Sequence, residues 1–203
     1  MSEQNLYKRW TNVKQKPPLL CFFCMFVFFP GLADNLAAQG ISNQGVFINI
    51  GGGFLLCQGD IENSGTVTNN GTVDLTGTLT NRGSIGGDGL LDIGGDWIND
   101  GGFAAGGGTV VFDGIMPQLI AAPFLTVFNN LTVDSQSAGT TVAAGAMVTV
   151  SGQTFSPNGK LIIASEGINN TGSLIYDGQG IPDGNLVYNR RLPDDALYHY
   201  ISS

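Results

Sequence analysis

Glycine falls on every sixth residue without a break from Gly53 through Gly59, Gly65, Gly71, Gly77, Gly83, Gly89, Gly95 and Gly101 to Gly107. A period held this long means that one short structural unit is stacked on itself. The best copies read apolar-x-Asn-x-Gly-x-apolar. They start at Ile61 (Asn63, Gly65, Val67), Val67 (Asn69, Gly71, Val73), Leu79 (Asn81, Gly83, Ile85) and Trp97 (Asn99, Gly101, Phe103). Two outlying copies fit the same template: Ile41, Asn43, Gly45, Phe47 and Ile168, Asn170, Gly172, Leu174.

Six is a multiple of two, so in extended chain the apolar position and the glycine share one face of every unit. A helix would smear the same positions around its circumference, and this much Gly and Thr opposes helix. Three units make one coil of eighteen residues, and the asparagines test that number independently. Asn63, Asn81 and Asn99 stand eighteen apart and so stack in successive coils. The same spacing predicts apolar columns Ile61/Leu79/Trp97, Val67/Ile85/Phe103 and Leu55/Val73/Leu91. The predicted fold is all-β: a hexad-based parallel β-helix, or β-solenoid, of about 18 residues per coil, with coils roughly 4.8 Å apart. Glycine serves a bend or a close backbone approach, and a buried Asn ladder satisfies corner amides. Handedness stays open, because parallel crossovers are right-handed as a rule while hexapeptide solenoids are the left-handed exception.

Two competing readings fail. Gly86, Gly87 and Gly89 resemble the start of a calcium-binding nonapeptide, but Leu91 stands where its acid belongs and Asp92 comes one residue late. Plain Gly-rich disorder is opposed by large apolar residues recurring in phase and by a hydrophobic content of 42%.

The chain begins differently. Lys8, Arg9, Lys14 and Lys16 precede an apolar run from Leu19 to Phe29 that ends at Pro30-Gly31. That run is too short to span a bilayer but suits the core of a secretory signal peptide, placed at residues 1–33. Gly31-Leu32-Ala33 supplies a small-x-small cleavage site, and Ala38 marks a later alternative. An uncleaved anchor is the competing reading. Cleavage removes Cys21 and Cys24, so their spacing is not a redox motif, and leaves Cys57 without an internal partner. From Gln39 onward fourteen acids face four bases: Arg82, Lys160, Arg190 and Arg191. Such a surface argues against nucleic acid as a partner and against anionic lipid. No membrane span is expected in the mature chain, whose location is predicted to be secreted or cell-surface. Its length suggests about nine coils in one domain.

The regular hexad solenoid is assigned to residues 39–114 and a less regular continuation to 115–203. In the latter, Gln118–Ile120, Phe128–Val133, Met147–Val150 and Leu161–Ile163 read as short strands between turn residues. The tail from Ser173 to Tyr176, Asn185 to Arg191 and Tyr198 to Ile201 also reads as strands. It carries no capping segment, which points to a front part of something longer, continued by its own polypeptide.

The ordered series Gly95-Asp96-Trp97-Ile98-Asn99-Asp100-Gly101-Gly102-Phe103, Gly107 to Gly114, Gln118 to Ile120 and Phe128 to Val133 resembles large secreted β-solenoid proteins of the Bacteroidetes group. The ending from Gly172 through Arg191 to Ser203 is similar to the segment closing their repeat region. The resemblance covers roughly residues 60–203. It implies a surface, adhesin-like protein of the cell outer membrane, usually followed by a C-terminal sorting domain that this sequence lacks. It supplies no catalytic residue.

Candidate chemistry is sparse. His199, the sole histidine, lies in an aromatic stretch without triad or metal partners. The acids Asp60, Glu62, Asp74, Asp88, Asp92, Asp96 and Asp100 are plentiful. Asp74 and Asp92 are expected to stack outward as a solvated pair, with a weak calcium site as the sharper alternative. Arg82 and Asp100 are read as a surface ion pair contributing about 0–1 kcal/mol. The matches at Asn70, Asn130 and Asn169 to the glycosylation triplet arise by composition. Thr66 stacks on Ser84 and Gly102, so no threonine column of the ice-binding kind forms. No catalytic, cofactor or metal residue is therefore assigned, no cofactor is expected, and the chain is read as a non-enzyme. Three functions remain. The favoured one is an exported structural or adhesive solenoid acting as a rigid display or attachment stalk, whose partner is an extracellular glycan or a host or neighbouring cell surface. The others are a polysaccharide-binding or polysaccharide-degrading β-helix, and a matrix or ice-interacting protein.

Overall fold

Each turn of the chain is three short strands joined by three bends, as the alternation of inward apolar and outward polar residues requires. In this computed structural model, residues 36–135, 139–152, 155–157, 159–167, 169–177 and 185–189 are described. The first rung is β1 (Leu36–Ala38), β2 (Ile41–Asn43) and β3 (Phe47–Ile50), and the second β4 (Phe54–Cys57), β5 (Ile61–Asn63) and β6 (Thr66–Asn69). The third is β7 (Thr72–Leu75), β8 (Leu79–Asn81) and β9 (Ser84–Gly86), and the fourth β10 (Leu90–Ile93), β11 (Trp97–Asn99) and β12 (Gly102–Ala104). The fifth is β13 (Thr109–Phe112), β14 (Gln118–Ala121) and β15 (Thr126–Phe128). The sixth is β16 (Asn130–Val133), β17 (Thr140–Val142) and β18 (Met147–Val150). A seventh follows as β19 (Phe155–Pro157), β20 (Lys160–Ile163) and β23 (Ser173–Tyr176), with a small hairpin, β21 (Ser165–Gly167) and β22 (Asn170–Thr171), inserted before β23. The last strand is β24 (Asn185–Tyr188).

Strands in the same place on successive rungs pair in parallel. One face runs β1-β4-β7-β10-β13-β16-β19 and the second β2-β5-β8-β11-β14-β17-β20-β24. The third is split into β3-β6-β9-β12 and β15-β18-β23. The chain is therefore a parallel β-solenoid. In the regular part the interval is eighteen residues, with Thr72 opposite Leu90 and Leu79 opposite Trp97. Beyond Gly108 it lengthens: Thr109 pairs with Asn130 and Ile120 with Val142. The added residues go to the corners, leaving strand register intact. These longer turns also explain why the described strands make about seven rungs rather than nine.

All three predicted apolar columns form. The Ile61/Leu79/Trp97 column continues through Ile120, Val142 and Ile163, every member buried. Each such side chain, fully buried, contributes about 1.5–3 kcal/mol. Trp97 meets Phe103 and Phe128 edge to face, with ring centroids 4.8 and 5.3 Å away. These largest interior side chains sit where the third face splits, between β12 and β15.

From Gly59 to Gly101 the glycine period has one physical cause, which is not at work at Gly107, where an added Cβ would meet nothing nearer than 3.7 Å. At Gly71, Gly83 and Gly101 an added Cβ would overlap a backbone carbonyl of the preceding rung: that of Gly53, Gly65 and Gly83 respectively. Left-handed backbone occurs instead at Gly45, Gly52, Gly87, Gly106, Gly139 and Gly145, outside the six-residue series. Close approach, not bending, is what the repeat preserves.

Three expectations change. In the outlying first copy Asn43 joins the stack, but Phe47 points outward and is 65% exposed; Ile48 takes the inward place opposite Val67. An extra residue at Val46 shifts the strand by one, which reverses its faces. In the other copy, Asn170 is exposed on the antiparallel hairpin β21–β22 and leaves the stack altogether. Arg82 and Asp100 are neighbours by rung yet both reach into solvent, and no ion pair forms between them. Long exposed side chains lose more rotamer entropy than such a contact returns in water. Residues 1–33, where a signal peptide is expected, and most of residues 178–203, His199 among them, lie outside the described residues.

Candidate functional site

The corner between the second and third faces is built by asparagine. The side-chain amide of Asn43 donates to Asn63 Oδ1 at 2.8 Å, Asn63 to Asn81 at 2.8 Å, and Asn81 to Asn99 at 2.7 Å. Asn99 ends the series on the hydroxyl of Thr126, at 3.5 Å. The oxygens of Asn43, Asn63 and Asn81 also accept a local backbone N–H, from Val46, Gly65 and Gly83. Three of the amides also reach a carbonyl: that of Val46 from Asn43, of Ser84 from Asn63 and of Gly102 from Asn81. Every polar atom of a buried asparagine is thereby satisfied, which is what lets the side chain stay in the interior.

The corner between the first and second faces uses different groups. Asp60 accepts the backbone N–H of Thr78 at 2.8 Å, Asp96 that of Leu119 at 2.8 Å, and Thr78 Oγ1 that of Asp96 at 3.3 Å. Asp88 does the same for Gly107 at 2.8 Å at the remaining corner. In the fifth rung Gln118, buried, donates to the carbonyls of Ile93 and Gly95 at 2.7 Å and accepts from the Gly114 N–H. Three of the candidate acids therefore hold backbone amides of the next rung. Cys57 is fully buried, its thiol against the carbonyls of Gly59 and Asp60, and burial pushes its pKa up. A protonated, enclosed thiol is a poor nucleophile.

On the outer surface of the first face Asp74 lies opposite Asp92, as expected. The pair is not simply solvated. Both are half-buried, one carboxyl oxygen of Asp92 is enclosed without a hydrogen-bond partner, and Asp113 of the next rung joins them. Burial, then the charges of Asp113 and Asp74, push Asp92 up to about 6. Sequence spacing could not bring Asp113 in, because it falls after the eighteen-residue interval has lengthened. The backbone role of Asp60 was within reach, since Thr78 lies eighteen residues on, whereas the amide held by the Asp96 carboxylate, that of Leu119, lies beyond the lengthened corner.

A shallow cavity of about 340 Å³ opens beside the second face, lined by Ile98, Asp100, Pro123, Ala143 and neighbouring small residues. Asp100 is the one carboxylate on that lining. Paired acids of the kind used in glycoside hydrolysis are not brought together there. Among the described residues no helix is long and apolar enough to cross a membrane. Compared with known protein families, curated proteins and solved structures, the chain matches none.

Proposed function

We infer that this chain is an exported structural element of a cell surface, a rigid spacer that displays or attaches what it is joined to. The observation that carries this reading is the use to which its polar groups are put. Buried asparagines, Gln118 and the acids Asp60, Asp88 and Asp96 all bind one rung to the next. A stack tied through side chains as well as backbone resists bending and local opening, which is what a spacer needs. Export agrees with the basic, then apolar, leader and with a small-residue site at Ala33, just before β1 begins at Leu36. Cleavage there keeps the first strand, whereas cleavage after Ala38 removes it. The resemblance to surface solenoids points the same way, with an extracellular glycan or neighbouring cell surface as partner.

The test is to express the full chain with its own leader, then read the mature N-terminus by mass spectrometry and probe intact cells with protease. The expected product starts at Asp34 and is found outside the cytoplasm. An unprocessed cytoplasmic product overturns export. Release of reducing ends from acidic polysaccharides by the purified chain overturns the structural role.

A further inference from the structure

The turns that join the second face to the third change length along the solenoid. They hold two residues in the second, third and fourth rungs (64–65, 82–83 and 100–101) and four in the fifth and sixth (122–125 and 143–146). In the seventh the turn holds nine (164–172), hairpin β21–β22 among them. The corner therefore climbs from a low step at Arg82 to a high one at the hairpin. Insertions gathered on one edge of a repeat stack commonly build its binding surface. The cavity of about 340 Å³ lies where two turn residues give way to four, between Ile98 of the fourth rung, Pro123 of the fifth and Ala143 of the sixth. Beside it Phe124 and Leu125 stand 65% and 53% exposed, and Met147 on the next rung 46%. Paired strands continue on both sides of these rungs, so this surface is not an end of the stack.

Charge marks the same corner. From the third rung to the seventh its turns carry three charged residues, Arg82, Asp100 and Glu166, in a chain that is acidic elsewhere. Two copies of an acidic unit approach at least electrostatic cost where charge is sparse and of both signs. The order of the three decides how they would meet. Arg82 lies two rungs before the fifth and Glu166 two rungs after it, each about 10 Å from the level of Phe124 along the stack. Both are exposed, and neither forms an ion pair among the described residues. Glu166 accepts the neighbouring Asn170 amide at 3.3 Å. A two-fold axis through the fifth rung carries Arg82 to the level of Glu166, and Glu166 to the level of Arg82.

We propose that two copies of this chain pair side by side and antiparallel across this corner, about a two-fold axis at the fifth rung, with Arg82 of each copy on Glu166 of the other. Such an interface is isologous: one surface meets itself, and each contact occurs twice. The third rung then faces the seventh, so the low step of one copy receives the hairpin of the other. The fourth faces the sixth and the fifth faces itself. That sets Phe124 of each copy against the cavity of the other, an aromatic anchor against a pocket. The Arg82 guanidinium also stands one rung from its own Asp100, and its forked donors serve both carboxylates. A parallel pairing instead sets Arg82 on Arg82 and hairpin on hairpin. The contact depends on the fold and not on where the chain is delivered, so it stands or fails separately from export and the spacer role.

The experiment is sedimentation velocity on the full chain as the cell delivers it, carried to the highest soluble concentration. The expected result is a monomer–dimer equilibrium that stops at the dimer, because a two-fold interface leaves no second copy of itself free. Arg82→Glu and Glu166→Arg, both at exposed positions, each keep the melting curve and raise the dissociation constant about tenfold by setting like charges together. Mixed, the two variants pair as strongly as wild type, since every contact between positions 82 and 166 again joins opposite signs. Phe124→Ser weakens the dimer by emptying the cavity, whatever the charges. Wild type that stays monomeric throughout overturns the proposal. That includes the case where the chain's own later residues or another protein occupy the corner. Assembly beyond the dimer overturns it too, as do single charge variants that pair undiminished. A mixture of the two that fails to pair has the same force.

Discussion

Two glycines of the same chemistry do opposite jobs. Gly83 lies under the Gly65 carbonyl, while a Cβ on Gly51 would meet nothing within 4 Å. Neither has a left-handed backbone. Gly83→Ala is therefore expected to destabilise by about 1–3 kcal/mol through overpacking between rungs. Gly51→Ala should be neutral or stabilising by about 0.5 kcal/mol, because it restricts only the unfolded chain. Urea midpoints of the two variants decide this, and equal losses would restore bending as the reason for the period. Asn81 is a second such case. Asn81→Ala strands the Asn99 oxygen, removes one acceptor from the Asn63 amide and frees the Gly83 N–H and Gly102 carbonyl from their side-chain partner, and should cost about 3 kcal/mol, whereas Asn170→Ala, on the exposed hairpin, should cost less than about 0.5 kcal/mol. Asp92 makes the residue scale sensitive to pH. Its pKa rises from the ordinary 3.8 to about 6 on folding, so the folded state holds this proton more tightly than the unfolded chain. The resulting stability is fully present below about 4 and lost as pH rises through about 6. Because the carboxyl is only half enclosed, solvent screening leaves an effect of about 1 kcal/mol. Asp92→Asn should thus stabilise by that amount at pH 7.5 and make little difference at pH 4, measured as the shift in urea midpoint.

At the scale of elements, what matters is whether a strand shares the common register. Strands β21 and β22 do not: they pair antiparallel with each other alone. The backbone closes beneath them, since the Gly172 N–H donates to the Ala164 carbonyl at 2.8 Å. Replacing residues 165–171 by a short Gly-Asn turn should leave stability within about 1 kcal/mol, because loop length enters only logarithmically. Thermal unfolding of the shortened chain checks this; a loss of cooperative unfolding would mean that the hairpin holds the seventh rung in place. Periodicity alone placed Asn170 in the stack, for the local pattern there is intact. The sequence carries no sign that a hairpin has lifted that segment out of the coil. The same limit applies at Phe47, where one inserted residue exchanged the faces of a strand whose composition is apolar on both.

For the solenoid unit as a whole, charge acts without local pairing. The full chain carries a net charge of −8, and Asp74, Asp92 and Asp113 stand on successive rungs of one face. No ion pair is formed among the described residues of the regular region, so salt has repulsion to screen and little attraction to weaken. Raising sodium chloride from low to physiological ionic strength should therefore raise the melting temperature. A fall would reveal stabilising charge pairs that the described side chains do not make.

The sequence by itself determined the period, the parallel stacking, the Asn63/Asn81/Asn99 series and the three apolar columns. Each follows from a repeat whose members see identical surroundings, so that spacing converts directly into neighbourhood. Only the tertiary structure decided that Asp96 holds the Leu119 amide, that Thr126 takes over where asparagine stops, and that Gln118 ties the fifth rung at the opposite corner. It also decided that Asp113 closes on Asp92, and that the first rung is offset at Phe47. Those contacts arise where turn lengths vary, and a turn of unequal length sets a distance in space that counting residues along the chain cannot supply.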